Sequence, residues 1–128
     1  MTTPRSSIKT HLAPATIGPY SQAILSGDTL YCSGQIAIDP QSGSMVTDSV
    51  ESEAERVLEN LGALLKAANM SYRHVVRCTV YLTDINDYAL VNEVYARYFD
   101  EMTPAREAVC VHALPRGARV EISCIAVR

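Results

Sequence analysis

The run Thr103-Pro104-Ala105-Arg106 is followed, fifteen residues after its arginine, by Glu121 in Val120-Glu121-Ile122. One cation and one carboxylate therefore sit in two otherwise apolar segments, where a charge rarely stands without a partner or a ligand. A planar guanidinium can grip a carboxylate with two parallel hydrogen bonds, a geometry that lysine does not match. A carboxylate within hydrogen-bond reach can orient a water and take its proton as the water attacks an electrophilic carbon. Each residue also has an ordinary reading. Arg106 could close a strand-end ion pair, and Glu121 could be an outward-facing strand residue, opposite in face to Val120 and Ile122.

Other polar residues stand at positions suited to a pocket. Tyr20 follows Gly18-Pro19, a rigid and tight approach that can hold an aromatic ring at a pocket mouth or pack it into the core. Ser33-Gly34 offers a hydroxyl and a closely approachable backbone amide, or an ordinary turn at a strand end. Asn92, in Val91-Asn92-Glu93-Val94-Tyr95, is either a pocket-edge amide or a solvated helix residue. His112 has no Ser or Cys partner implied by the sequence, and a lone strand histidine is more often structural. The cysteines Cys32, Cys78, Cys110 and Cys124 are widely separated, with no C-x-x-C and no nearby paired histidines. They read as small buried hydrophobes rather than metal ligands.

Taken with Ile17-Gly18-Pro19-Tyr20-Ser21-Gln22 and Ser33-Gly34-Gln35, the Pro-Ala-Arg and Val-Glu-Ile segments resemble the RidA family, also called YjgF/YER057c/UK114. The resemblance runs from about residue 17 to 127. It implies an α+β, chorismate-mutase-like single domain, assembled as a homotrimer with active sites between neighbouring subunits. It also implies cofactor-independent hydrolysis of reactive 2-imino acids or their enamine tautomers, such as 2-aminoacrylate and 2-iminobutanoate, to 2-oxo acids and ammonium. In the residues of this chain, Arg106 would fix the substrate carboxylate, Glu121 would stand beside the attacking water and Tyr20 would lie over the ligand. Ser33, Gly34 and Asn92 would complete the pocket. Ala108 would contribute main-chain contacts where the family often carries a cysteine, and Thr103 and Glu107 depart from the usual neighbours of the arginine. Two other readings stay open: a non-catalytic 2-oxo-acid-binding protein, and a pathway-specific deaminase such as one acting on 2-aminomuconate.

Composition narrows the field independently. A chain of 128 residues, 48% hydrophobic, has enough apolar material for one compact domain and is too short to suggest two. Its net charge of -3 and scattered basic residues argue against general nucleic-acid binding. No apolar run approaches the ~18 to 20 residues that a membrane span needs, and the first residues have no apolar leader segment. The expectation is a cytoplasmic protein with reduced thiols and no metal.

The elements that must position these residues follow from periodicity. Residues 1–16 are polar, contain Pro4 and Pro14, and are expected to form an irregular arm ahead of a domain over 17–128. Segments 21–25 and 29–33 flank Ser26-Gly27-Asp28 as a hairpin, and Asp39-Pro40-Gln41-Ser42-Gly43 marks a further turn. Ala54, Val57, Leu58, Leu61, Leu64, Leu65 and Ala68 recur at helical steps, with Asp48 and Glu51 as the N-terminal cap and Asn69 at the other end. Residues 75–82 alternate as a strand, with Val76, Cys78, Val80 and Leu82 on one face. Tyr88, Val91, Val94, Tyr95 and Tyr98 form a second helical stripe. Strands over 108–113 and 120–127 close the order β-β-α-β-α-β-β, a mixed sheet with both helices on one face. The other face must then be hidden, which favours subunit association. If the last two strands formed a hairpin around Arg116-Gly117, Arg106 and Glu121 would lie about six positions apart, roughly 20 Å. Either those strands do not pair directly, or the two groups meet across a subunit boundary.

Overall fold

Alternate residues of the last strand, Val120, Ile122, Cys124 and Ala126, are buried, and this alternation sets the architecture. They face two helices that lie together on one side of a six-stranded mixed sheet. The computed structural model describes residues 4–128, so the first three residues of the expected arm lie outside the described residues. The strands are β1 (Arg5–Ile8), β2 (Ala23–Ser26), β3 (Thr29–Gln35), β4 (Val75–Leu82), β5 (Ala105–Cys110) and β6 (Val120–Val127), and the helices are α1 (Val50–Ala67) and α2 (Tyr88–Tyr98). Their order across the sheet is β1-β2-β3-β6-β4-β5.

The α1 stripe falls where its spacing predicts, and Leu58, Leu61, Leu64 and Leu65 are wholly buried. The cap is one residue later than expected. Ser49, not Asp48, has the extended backbone of an N-cap and accepts the Ser52 N–H at 3.0 Å. Serine serves because its short hydroxyl reaches the free amides of the first turn. Asn69 takes the left-handed conformation, φ 59°, as expected of the residue past the helix end.

Both helices are crossovers. β4 and β5 are parallel and joined through α2, as parallel neighbours require. β3 and β4 also run in the same direction, joined through α1, and β6 is inserted antiparallel between them. The last two strands therefore do not pair directly, because β4 separates β5 from β6. The turn signal at Leu114-Pro115-Arg116-Gly117 is real, but the chain passes over the end of β4 before re-entering the sheet.

Local departures have physical causes. Polar Arg5–Ile8 forms β1, although irregular structure was expected there. It is an edge strand paired only with β2, where backbone hydrogen bonds rather than apolar alternation hold it. Gln22 secures the segment that follows: its amide nitrogen, Nε2, donates to the carbonyls of Thr10, Ala13 and Pro14, while its Oε1 accepts the Thr10 N–H at 2.8 Å. In β4 the register shifts between Val75 and Arg77, so Val75 is buried and Val76 is exposed while Cys78, Val80 and Leu82 remain inside. β5 begins at Ala105 rather than 108 and stops at Cys110, because its partner β4 ends opposite at Leu82. That leaves Cys110 exposed on an edge, unlike the other three cysteines, and His112 beyond the strand.

Two buried polar residues, Glu53 and Asn60, share the apolar face of α1. Glu53 is 1% exposed and binds the entry to β6: its Oε2 accepts the N–H of Arg119 at 2.6 Å and of Val120 at 3.3 Å, and its Oε1 accepts Arg119 Nε at 2.7 Å. Glu53 is buried although the Arg119 side chain is 38% exposed, and the three hydrogen bonds it accepts fix where β6 begins and hence where Glu121 stands. Asn60 donates through Nδ2 to the carbonyls of Ile36 and Ile38, tying down the segment after β3.

Candidate active site

The structure divides the expected site residues into two groups on opposite faces of the sheet. Arg106 pairs in register with buried Cys78 and lies on the helix side. Its Nη1 donates to Asn92 Oδ1 at 2.6 Å and its Nη2 to the Tyr88 hydroxyl at 2.8 Å. The guanidinium carbon also lies 4.9 Å from the centre of the Tyr95 ring. Tyr88, Asn92 and Tyr95 are spaced four and three apart, which puts them on one face of α2. All these partners are neutral. Among the described residues no carboxylate pairs with Arg106, so its charge is oriented but not compensated.

Glu107, one residue on, faces the other side of the sheet and pairs with Arg77 of the neighbouring strand. It does not enter the surroundings of Arg106. Ala108 returns to the helix side of the edge strand and is exposed. Thr103 is exposed ahead of the strand. Beneath Arg106, burial pushes the Cys78 thiol up to about 12 and the Tyr95 phenol well above its ordinary value. Cys78 is thus held as a neutral thiol rather than a nucleophile. The Tyr95 hydroxyl is buried beside the Cys78 thiol.

Glu121 points away from the helices, since Val120 and Ile122 on either side are fully buried on the helix side. With Tyr20, Ser33 and Gly34 it lines a pocket of about 570 Å³ whose apolar wall includes Ile17, Ile36 and Ile38. The ladder between β3 and β6 slips between Cys32 and Gln35, leaving Ser33 and Gly34 out of register beside the carboxylate. Gly34 permits this close approach: a methyl group there would lie 3.0 Å from the Glu121 carboxyl carbon and would push the carboxylate aside. The Ser33 proton is already committed, because its Oγ donates to the Ser21 carbonyl at 2.6 Å. Ser33 consequently brings a hydroxyl oxygen to the pocket rather than a free donor.

Tyr20 is half exposed at the rim, and its backbone N–H donates to the Gly18 carbonyl at 3.0 Å. Gly18 has φ 136°, a backbone region that only glycine enters readily, so the tight approach read from Gly18-Pro19 is present. Arg116 also lines the pocket, a residue that the sequence marked only as a strand break. Its φ of 57° is costly for a non-glycine residue, and its Nη1 donates to the Gly43 carbonyl at 3.2 Å.

Desolvation raises the Glu121 carboxyl above its ordinary value, and no hydrogen bond or ion pair holds it among the described residues. A raised native value means that the folded protein binds more protons than the unfolded chain over that range, so stability falls as pH rises through it. Glu121→Gln should therefore unfold at a higher temperature than the wild type at neutral pH. The difference should vanish below the usual glutamate range, where both side chains are neutral. Thermal melts across pH check this, and equal pH dependence in the two proteins would contradict it.

Arg106 and Glu121 cannot meet within one chain. Across the sheet, β4 intervenes between them; along it, the reference residues Cys78 and Tyr81 are three positions apart. Strand spacing then gives roughly 14 Å between their backbones, with side chains directed to opposite faces.

The family model described as endoribonuclease L-PSP matches residues 10–128. A 2-iminobutanoate/2-iminopropanoate deaminase from Bos taurus is 52% identical over 124 residues, spanning 97% of this chain and 90% of the relative. Among solved structures, RidA from the Antarctic bacterium Psychrobacter sp. PAMC 21119 superposes with a TM-score of 0.93 at 43% identity, covering 96% of this chain and 99% of that one. This chain belongs to the RidA family. Escherichia coli TdcF, a further structural neighbour solved with bound serine, gives a TM-score of 0.93 at 41% identity and covers 96% of this chain and 98% of its own. The RidA relationship thus extends over both halves of the site, from the Tyr20 loop to β6. Among the described residues no helix is long and apolar enough to cross a membrane, and no cluster of His, Cys, Asp and Glu is arranged to hold a metal ion.

Proposed function

We propose that this protein is a 2-iminobutanoate/2-iminopropanoate deaminase that hydrolyses small 2-imino acids and their enamine tautomers without a cofactor. The observation that carries this reading is the pair of uncompensated charges. Arg106 is a fixed cation with only neutral partners, and Glu121 is a desolvated carboxylate beside a pocket, with none of its own. Relatives named for this reaction, about half identical over nearly the whole chain, support it. So does the amino acid bound by a structural neighbour.

In the mechanism Arg106 takes the substrate carboxylate and leaves the imine carbon towards the Glu121 pocket. A protonated imine carbon is already electrophilic. Glu121 orients a water and accepts its proton as the C–O bond forms, and a carboxylate of raised basicity suits that role. Glu121 passes that proton to the nitrogen; as the C–N bond breaks, the new hydroxyl gives up its proton to form the carbonyl, and the departing ammonia takes it up as ammonium beside the 2-oxo acid. Tyr20 covers the pocket, and Ser33 with Gly34 shapes the wall against the carboxylate. Asn92 orients the arginine, and Ala108 supplies backbone next to it. Because one chain separates the two charges, the working site joins Arg106 of one subunit to Glu121 of another. A homotrimer of chorismate-mutase-like subunits would bring them together, covering the sheet face that exposes Tyr31, Val109 and Val127.

The family description names RNA cleavage, but a net charge of -3 supplies no stripe of cations to follow a phosphate backbone. The reaction is tested by letting a threonine dehydratase generate imine while semicarbazide traps it. Substoichiometric protein should suppress semicarbazone formation, and chelator should not abolish the effect. Protection only at stoichiometric amounts would favour a 2-oxo-acid-binding protein over an enzyme.

A further inference from the structure

We propose that Tyr88 is the second half of the carboxylate clamp, a recognition residue that works with Arg106 and makes the site selective for a carboxylate over a neutral acyl group. This inference rests on the reading of Arg106 as the carboxylate anchor. Tyr88 is the first residue of α2, held there by a short turn over Ile85–Asp87 in which the Asp84 carboxylate accepts the Asn86 N–H. Tyr88 is 37% exposed, and its hydroxyl meets Arg106 at the exposed edge of the site.

The hydroxyl oxygen accepts Arg106 Nη2 at 2.8 Å, while Asn92 Oδ1 takes Nη1 at 2.6 Å. Two acceptors on the two terminal nitrogens fix the plane of the guanidinium. A guanidinium carries five N–H groups, so three stay available to a ligand. The Tyr88 proton is also available, because among the described residues the hydroxyl donates to nothing. An oxygen that accepts from a cation is polarised, which makes its own O–H a stronger donor. Arg106 and Tyr88 thus present adjacent N–H and O–H donors towards the same space.

A carboxylate has two oxygens and about four lone-pair directions, enough to use both donors at once. An amide of the same shape has one such oxygen, and its NH₂ group would meet donors with donors. Tyr95 cannot replace Tyr88, since it meets the arginine through its ring.

Calorimetric binding of 2-oxobutanoate and of its amide, 2-oxobutanamide, to wild-type and Tyr88→Phe protein tests the assignment. Phenylalanine keeps the ring and removes only the hydroxyl, and a thermal melt checks that the fold is retained. The variant should bind 2-oxobutanoate about tenfold more weakly while its affinity for the amide changes less than about twofold. In imine turnover, KM should rise by a similar factor with kcat little changed. Unaltered 2-oxobutanoate affinity, equal losses for the acid and the amide, or a wild type that does not bind 2-oxobutanoate would each overturn the proposal. If the wild type binds 2-oxobutanoate with the stated Tyr88 dependence yet turns over no imine, the clamp stands and the deaminase reading fails.

Discussion

Arg106→Lys should lose tenfold to a hundredfold or more in catalytic efficiency towards 2-imino acids while remaining folded. The substitution retains a positive charge, so Coulomb attraction alone predicts little change. The geometry predicts otherwise. Arg106 simultaneously serves Asn92, Tyr88 and the face of Tyr95, and it must still present a planar pair of donors to substrate. An ammonium is a point charge on a flexible stem, and it cannot satisfy two neighbours and a carboxylate with the same fixed directions. A hydrogen bond to a charged group contributes about 1.5 to 3 kcal/mol, which converts to the stated range. Steady-state kinetics with freshly generated imine, read beside a thermal melt, check it. Turnover near the wild-type level would remove Arg106 from its role.

Much of the scaffold for that role is legible in the chain. Both helices and the strand over 75–82 announce themselves by spacing, because one face of each is packed against a single core and every third, fourth or second residue must be apolar. The hairpin at Gly27-Asp28 is equally local. Strand neighbours are not. The insertion of β6 between β3 and β4 depends on which edge offers partners after two crossovers, and no local pattern around Arg116 records it. For the same reason the sequence leaves open how Arg106 stands to Glu121, and the intervening β4 closes the hairpin alternative.

The candidate site shows a similar division. Arg106, Glu121, Tyr20 and the Ser33-Gly34 pair stand out by type and motif. Their partners do not. Tyr88 and Tyr95 read as members of an apolar helical stripe, although the spacing that places them with Asn92 on one face was available. Glu53 could also have been found, since it lies four residues before Val57 and seven before Asn60 on the buried side of α1. Arg116 carried no signal, because a left-handed arginine is a product of the crossing chain rather than of its own residue type.

The central claim is that the cation and the carboxylate of one site come from different subunits. It predicts that Arg106→Ala and Glu121→Ala proteins, each inactive alone, recover imine hydrolysis when unfolded together and reassembled. In a cyclic trimer of either mixed composition, about one site in three joins an intact Arg106 to an intact Glu121. Random equal mixing should restore roughly a quarter of wild-type activity, since each site draws its two contributors independently. Native mass spectrometry of the same samples establishes that mixed trimers have formed. Activity returning in proportion to the mixed species is the expected result, whereas confirmed mixed trimers without activity would place both residues in one chain's site and contradict the account.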